Sequence, residues 1–239
     1  MKKIASRQNA WFQRVRDAMR EHGEEIVIEG PKAVADAIAA RWKPIAVIGV
    51  EEGPYVTQLF SHDLFHAISD TKTSQGVLAL FERPHPTAED IFRRRDSIAV
   101  ALDGVQDPGN VGTIVRLAAA FDAAGVIVLP GSADPLGPKA IRASAGAVLS
   151  IPVLSMGIEE LRRAAAEHRF QVIATSGRAV AHEPPPREAV LVFGNEGAGV
   201  SAGVLPFAKP ISIKTSGRVE SLNVAAAAAI LLWRSFSQR

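Results

Sequence analysis

"SIAVALDGVQDPGNVGTIVRLAAAF", residues 97–121, decides how the second half of this chain folds. Its first six residues are short and almost wholly apolar, the pattern of a strand buried on both faces. Asp107-Pro108-Gly109-Asn110 then forces a turn, and from about Val111 the apolar residues fall at helical spacing. The same alternation recurs. "GVIVLP" (125–130), "IPVL" (151–154), "FQVIAT" (170–175), "AVLVFG" (189–194) and "PISI" (210–213) read as strands. Residues 138–148, "GIEELRRAAAEH" (157–168) and 222–236 read as helices. Apolar strands alternating with helices predict an α/β domain with a parallel sheet, and a ligand beyond the carboxyl ends of the strands.

The first half is a smaller α/β unit. Residues 6–22 predict a basic helix, "EIVIEG" (25–30) a strand, and Pro31 opens the helix "PKAVADAIAARW". "IAVIGV" (45–50) and "GVLALF" (76–81) read as further strands. Two prolines and dense charge predict a linker over 86–96, with a short helix after Thr87. The expected domains are therefore 1–85 and 97–239.

Composition removes several classes of function. Of 239 residues 47% are hydrophobic and none is cysteine. This excludes disulfides, thiolate metal sites and a cysteine nucleophile. The six histidines show no metal-ligand spacing, so no metal is expected. No run of about 18 apolar residues marks a membrane span, and "MKKIASRQNAWF" lacks the apolar core of a signal peptide. A soluble cytoplasmic protein is expected. Net charge is only +2, but it is uneven. Lys2, Lys3, Arg7, Arg14, Arg16 and Arg20 face one acid, Asp17, in the first twenty residues, and Arg93-Arg94-Arg95 forms a second cluster. Such patches suit a phosphate backbone or a solvated helix face. Trp11 and Phe12 could stack on bases or pack the helix onto its domain.

Three polar loops carry the chemistry. In the first, Asn110 is placed to cap the following helix. Arg116, amid apolar residues, is expected to be buried and to need a partner. In the second, "LVFGNEGAGVS" (191–201), three glycines let main chain approach a ligand. Its spacing and place near the carboxyl end do not match the dinucleotide fingerprint. In the third, Ser221 and Asn223 flank the start of the last helix, directly before five alanines. One of them suffices for a cap.

Together these loops resemble the SpoU (TrmH-like) family of RNA 2′-O-ribose methyltransferases, of the SPOUT superfamily. Asp107, Pro108, Asn110, Gly112, Ile114 and Arg116 match its first motif. Gly194, Asn195, Glu196, Gly197 and Gly199 match its second, and Ser221, Leu222, Asn223 and Val224 its third. "DPLGPKAIRASAGAVLSIPV" (134–153) resembles the stretch between the first two motifs. "IASRQNAWFQRVR", "VIEGPKAVADAI" and "SDTKTSQGVLAL" are similar to the family's L30e-like substrate-binding domain. The resemblance implies a deep trefoil knot in the carboxyl-terminal domain, S-adenosylmethionine as cofactor, structured RNA as substrate (ribosomal RNA before tRNA) and a homodimer. It implies catalytic roles for Asn110, Arg116, Glu196, Ser221 and Asn223, with Arg116 as phosphate anchor or base. It implies cofactor contacts at Thr175, Gly194, Asn195, Gly197, Ile213 and Leu222. The chain departs from the family at Ile213-Lys214-Thr215, where Ile-Pro-Met is usual. An RNA-binding protein without catalysis, of the same fold, and a generic α/β nucleotide-binding enzyme are the alternatives.

Overall fold

The computed structural model describes residues 1–21, 23–71, 73–176 and 185–238. Lys72, within the stretch likened to the substrate-binding domain, lies outside the described residues. In chain order the strands and helices are β1 (Lys3–Ile4), α1 (Ala10–Glu21), β2 (Glu25–Glu29), α2 (Pro31–Ala39), β3 (Pro44–Gly49), β4 (Gln58–Phe60), α3 (His62–His66) and β5 (Val77–Glu82). There follow α4 (Ala88–Phe92), β6 (Ile98–Asp103), α5 (Pro108–Ala120), β7 (Gly125–Val128), α6 (Pro138–Ala143), β8 (Val153–Ser155), α7 (Ile158–His168), β9 (Gln171–Thr175), β10 (Ala189–Gly194), β11 (Lys209–Ile211) and α8 (Val224–Phe236).

The chain forms two compact units, one of residues 1–84 with 136–141, the other of 85–135 with 142–239. In the first, a mixed sheet runs β1-β4-β3-β5-β2. Its strands pack Val27, Ile48, Leu78 and Leu80 against Phe12 and Val15 of α1. Phe12 is thus a core residue, and Trp11 lies partly buried beside it with the Arg14 guanidinium 5.4 Å from its ring centre. These two aromatics pack the helix down.

In the second unit a parallel sheet runs β11-β9-β10-β6-β7-β8. All six residues of β6 and all six of β10 are buried, which is why both read as unbroken apolar runs. They are neighbours in the sheet, in register from Ala189 beside Ile98 to Gly194 beside Asp103. From β6 the chain steps outward to β7 and β8, then returns on the other side through β9, β10 and β11. The direction of winding reverses between β6 and β10, the place where open α/β sheets bind ligands. Asp103 and Gly194 are the carboxyl ends of those two strands.

Residues 88–92 form the short helix expected after Thr87, and it packs into the core of the second unit. The Thr87 main-chain N–H donates to Asp90 Oδ2 at 2.7 Å and closes a capping box. Ile91 and Phe92 are fully buried. Phe92 stacks on His168 at 5.5 Å and meets the edge of Phe170 at 5.2 Å. Gly125 makes room, since a Cβ there would stand 2.6 Å from Ile91. The charge and prolines of this stretch mark its exposed side, while two apolar residues do the packing.

Two further boundaries differ from the sequence reading. The helix expected over 138–148 stops at Ala143, because Ala145 and Gly146 take left-handed backbone angles (φ 50° and 83°). A 3-10 turn follows at Ala147–Ser150. The first-loop helix α5 starts at Pro108, three residues earlier than expected. Asp107 is its N-cap, accepting from Gly109 N–H at 3.1 Å, and proline occupies the first turn, where its missing N–H costs nothing.

Candidate functional site

The early start of α5 frees Asn110 from capping. It sits in the first turn of the helix and its amide joins the other two loops. Asn110 Nδ2 donates to Glu196 Oε1 at 2.9 Å, and Asn110 Oδ1 accepts from Asn223 Nδ2 at 3.2 Å. Asn223 does cap α8: its Oδ1 accepts from Ala225 and Ala226 N–H at 2.9 and 3.2 Å. One side chain therefore starts the alanine helix and fixes the Asn110 amide. Buried Ala225 and Ala228, with Leu231 and Leu232, seat α8 in the unit, packed against α5.

The second loop is held from within and from below. Asn195 and Gly199 exchange main-chain hydrogen bonds at 3.0 and 2.9 Å. Asn195 Oδ1 accepts from Gly197 and Ala198 N–H, both at 2.9 Å, and Asn195 Nδ2 donates to Gly104 O at 2.9 Å. Gly194 has no room for a side chain, since a Cβ would come within 2.2 Å of the main chain at Gly199 and Val200. Gly197 and Gly199 are exposed. Nothing lies within 4 Å of the position a Cβ would take at Gly199, whose φ of +75° favours glycine.

The remaining expected residues fall around this centre. Arg116 is exposed, with no hydrogen bond or ion pair to any described residue. The expected burial is wrong because Thr113 and Arg116, three apart, share the outward face of α5 while Ile114, Val115 and Ala118 face inward. A long cation left free on a helix that also carries Asn110 is available to an anionic ligand. Ser221 is exposed and likewise has no partner among the described residues. Leu222 is 36% exposed, and Ile213 is half-buried. Thr175 already donates its hydroxyl to Val192 O at 3.0 Å. The hydrogen bonds thus join Asn110, Glu196 and Asn223, and bring neither Arg116, Ser221 nor Thr175 into that network.

Two supporting residues escape a reading of the sequence. Ser132, in the loop after β7, accepts from Gly104 and Val105 N–H at 2.9 and 3.2 Å and donates to Leu102 O at 2.9 Å. It shapes the exit from β6. Asp103, 4% exposed, accepts from Ser201 N–H at 2.7 Å. Their partners lie 27 to 98 residues away, so no local pattern announces them.

Residues 97–233 match the SpoU rRNA Methylase family. The chain belongs to that family. It is 30% identical over 253 residues to the Bacillus subtilis 23S rRNA (guanosine(2553)-2′-O)-methyltransferase RlmP, covering 98% of each chain. The AdoMet-bound rRNA methyltransferase from Sinorhizobium meliloti superposes with a TM-score of 0.86, at 29% identity over 99% of this chain and 98% of that one. The SpoU methyltransferase AviRb from Streptomyces viridochromogenes, in complex with AdoMet, gives 0.88 at 25% identity, over 97% and 98%. SpoU membership makes this protein an RNA methyltransferase, and the network around Asn110 lies where the family's three motifs converge. Among the described residues no helix is long and apolar enough to cross a membrane.

Proposed function

We propose that this SpoU protein transfers the methyl group of S-adenosylmethionine to a ribose 2′-oxygen of ribosomal RNA. The observation that carries the reading is the joining of three distant loops through the Asn110 amide, on a helix that also presents an unpaired Arg116. The residues suit the cofactor. Gly197 and Gly199 are exposed and bring no side chain between the loop and a ligand, no atom stands where a Cβ of Gly199 or Gly217 would, and Leu222 exposes an apolar side chain. We assign the cofactor to Gly194, Asn195, Gly197, Ile213 and Leu222, largely through main chain. Thr175 contributes its backbone, its hydroxyl being committed to Val192. When bound, the cofactor supplies an electrophilic methyl group.

The protein's own residues align and deprotonate the nucleophile. Arg116 takes the phosphate beside the target ribose, where a guanidinium fork binds two oxygens at once. A guanidinium gives up its proton with great reluctance, so anchoring rather than base action is its role. Asn110 fixes Glu196 through Oε1, leaving Oε2 to accept from the ribose. Ser221, exposed beside it in sequence to Leu222 and Asn223, orients the same sugar. Most of the rate gain comes from this alignment.

Residues 1–85 form an L30e-like domain that finds structured RNA. Arg14 pairs with Glu25 and Arg16 with Asp17. Lys2, Lys3, Arg7, Arg20 and Arg41 therefore supply free positive charge, being exposed and without an ion pair among the described residues. The passage from Ile213 to Asn223 threads behind the second loop as the trefoil knot. Ile230, Trp233 and Phe236 of α8, each more than a third exposed, fit a homodimer interface. The enzyme acts in the cytoplasm. The 23S rRNA activity named for the Bacillus subtilis relative supports ribosomal RNA over tRNA.

The test is incubation with methyl-tritiated S-adenosylmethionine and, separately, total ribosomal RNA and total tRNA from a bacterium lacking this protein. Label in the ribosomal pool, in an alkali-resistant dinucleotide, is the expected result. Label only in tRNA overturns the substrate assignment. No label and no cofactor binding by calorimetry would favour the RNA-binding protein without catalysis. Ultracentrifugation showing a monomer would remove the dimer.

A further inference from the structure

A buried carboxylate is costly unless something repays its loss of water. Asp103 is such a group. It ends β6, is 4% exposed, and is not one of the residues that the three motifs assign to chemistry. Its surroundings explain why a carboxyl group stands there. Gly194 is its register partner across the sheet, so the second loop leaves the sheet beside Asp103. Six residues after the loop begins, Ser201 N–H donates to Asp103 Oδ2 at 2.7 Å, so the loop also returns beside Asp103. Ser201 is held by its main chain, because its buried hydroxyl has no hydrogen-bond partner among the described residues.

We propose that Asp103 is a positioning residue for methyl transfer, clamping the return of the Asn195–Val200 loop so that its main chain is preshaped for the cofactor. The inference rests on the cofactor reading above. Its glycines at 197 and 199 are conformationally permissive, and the bonds of Asn195 close the loop on itself as far as Gly199. The Ser201 bond ties that closed loop to the end of β6 where the chain returns. The acceptor is a side-chain oxygen fixed at the end of a buried strand, so it offers the loop a rigid anchor. Asn195 Nδ2 on Gly104 O and Ser132 Oγ on Gly104 and Val105 N–H hold the Asp103 side of the clamp steady.

The experiment is calorimetric titration of S-adenosylmethionine into the wild-type chain, Asp103→Ala and Asp103→Asn, with steady-state kinetics on RNA for each. Losing this bond and leaving the Ser201 N–H without its acceptor predicts about a tenfold rise in cofactor Kd for Asp103→Ala. Its kcat at saturating cofactor should stay within about threefold of wild type, with an unchanged KM for RNA, because Glu196, though it lies in the same loop, is held separately by Asn110 of α5. Asp103→Asn keeps a carbonyl acceptor at the same place and should recover most of the affinity. Equal loss in both variants, or a kcat deficit that saturating cofactor does not restore, overturns the clamp. If Asp103→Ala does not fold, Asp103→Asn decides alone: affinity within about threefold of wild type supports the proposal, and a tenfold loss overturns it. A wild-type chain that binds no cofactor would overturn the underlying reading and the clamp with it. Wild-type binding matched by Asp103→Ala would overturn the clamp alone.

Discussion

Asn110 and Glu196, 86 residues apart in the chain, meet at 2.9 Å, and the donor is an amide whose other end is held by Asn223. An amide can do this because it donates at one end and accepts at the other. Asn110→Ala should lower kcat/KM by about a hundredfold through lost alignment, with cofactor affinity nearly unchanged. Asn110→Asp is more informative. It sets a second carboxylate against Glu196, so the pair repel until one of them takes up a proton and restores the hydrogen bond. Its activity should rise as pH falls below neutral, where wild type shows no such gain. A pH–rate profile for the two enzymes checks this.

Arg116 is exposed and makes no hydrogen bond or ion pair with any described residue, so its removal should leave stability within about 0.5 kcal/mol of wild type. Methyl transfer by Arg116→Ala should fall by about a thousandfold, and Arg116→Lys should recover part of it by restoring charge without the fork. A fully active Arg116→Ala would remove the residue from the site. Thermal melts and single-turnover rates separate the two effects.

Gly194→Ala tests the packing beneath the second loop. A Cβ 2.2 Å from main chain cannot be relieved by a rotamer change. The expected cost is about 1–3 kcal/mol, the usual range for overpacking a tight site, with loss of cofactor binding. Gly199→Ala meets open space but carries a φ of +75°. It should cost less and leave the strand ends undisturbed. Denaturant midpoints rank the two.

Asn223 has two duties that different substitutions separate. Asn223→Asp keeps the oxygen that caps α8 but loses the amide that reaches Asn110. Its thermal stability should equal wild type while activity falls. Asn223→Ala loses both, with a further stability cost of about 1 kcal/mol for the cap. Equal stability in both variants would mean that the cap contributes nothing.

The capping box of α4 makes a pH prediction. Hydrogen bonds from the Thr87 N–H and hydroxyl hold the Asp90 carboxyl below its ordinary value. A carboxyl with a lowered pKa in the folded state stabilises above its unfolded pKa, and that contribution fades as pH falls through the folded value. Asp90→Asn should therefore melt below wild type at neutral pH, and the gap should close below about pH 4. A gap that persists in acid would point to the amide itself.

Much of this was legible in the residues, for a physical reason. A strand buried on both faces has nowhere to put a polar group, so β6 and β10 announce themselves as unbroken apolar runs. The three polar loops stand out against them. Asn110 was misread as a cap because Asp107-Pro108 had already started the helix, and a turn and a helix start share the same residue types. Arg116 was misread because its sequence neighbours are apolar, whereas its spatial neighbourhood on the outer face of α5 is set by the helical period. Ile91 and Phe92 were hidden by the charge around them. Asp103 and Ser132 carried no local signal, since what they hold lies on other loops.

The bond between Asn110 and Asn223 also sets an order of events in the life of the chain. Synthesis runs from the amino end at about 5–20 residues per second, so Asn110 exists for several seconds before its partner, 113 residues later, is made. Glu196 is made before Asn223, so the Asn110 amide gains its acceptor first and the partner for its carbonyl last. A chain released before α8 would carry the first two loops without the bond that ties them to the third, so the three-loop network is complete only once α8 has been made.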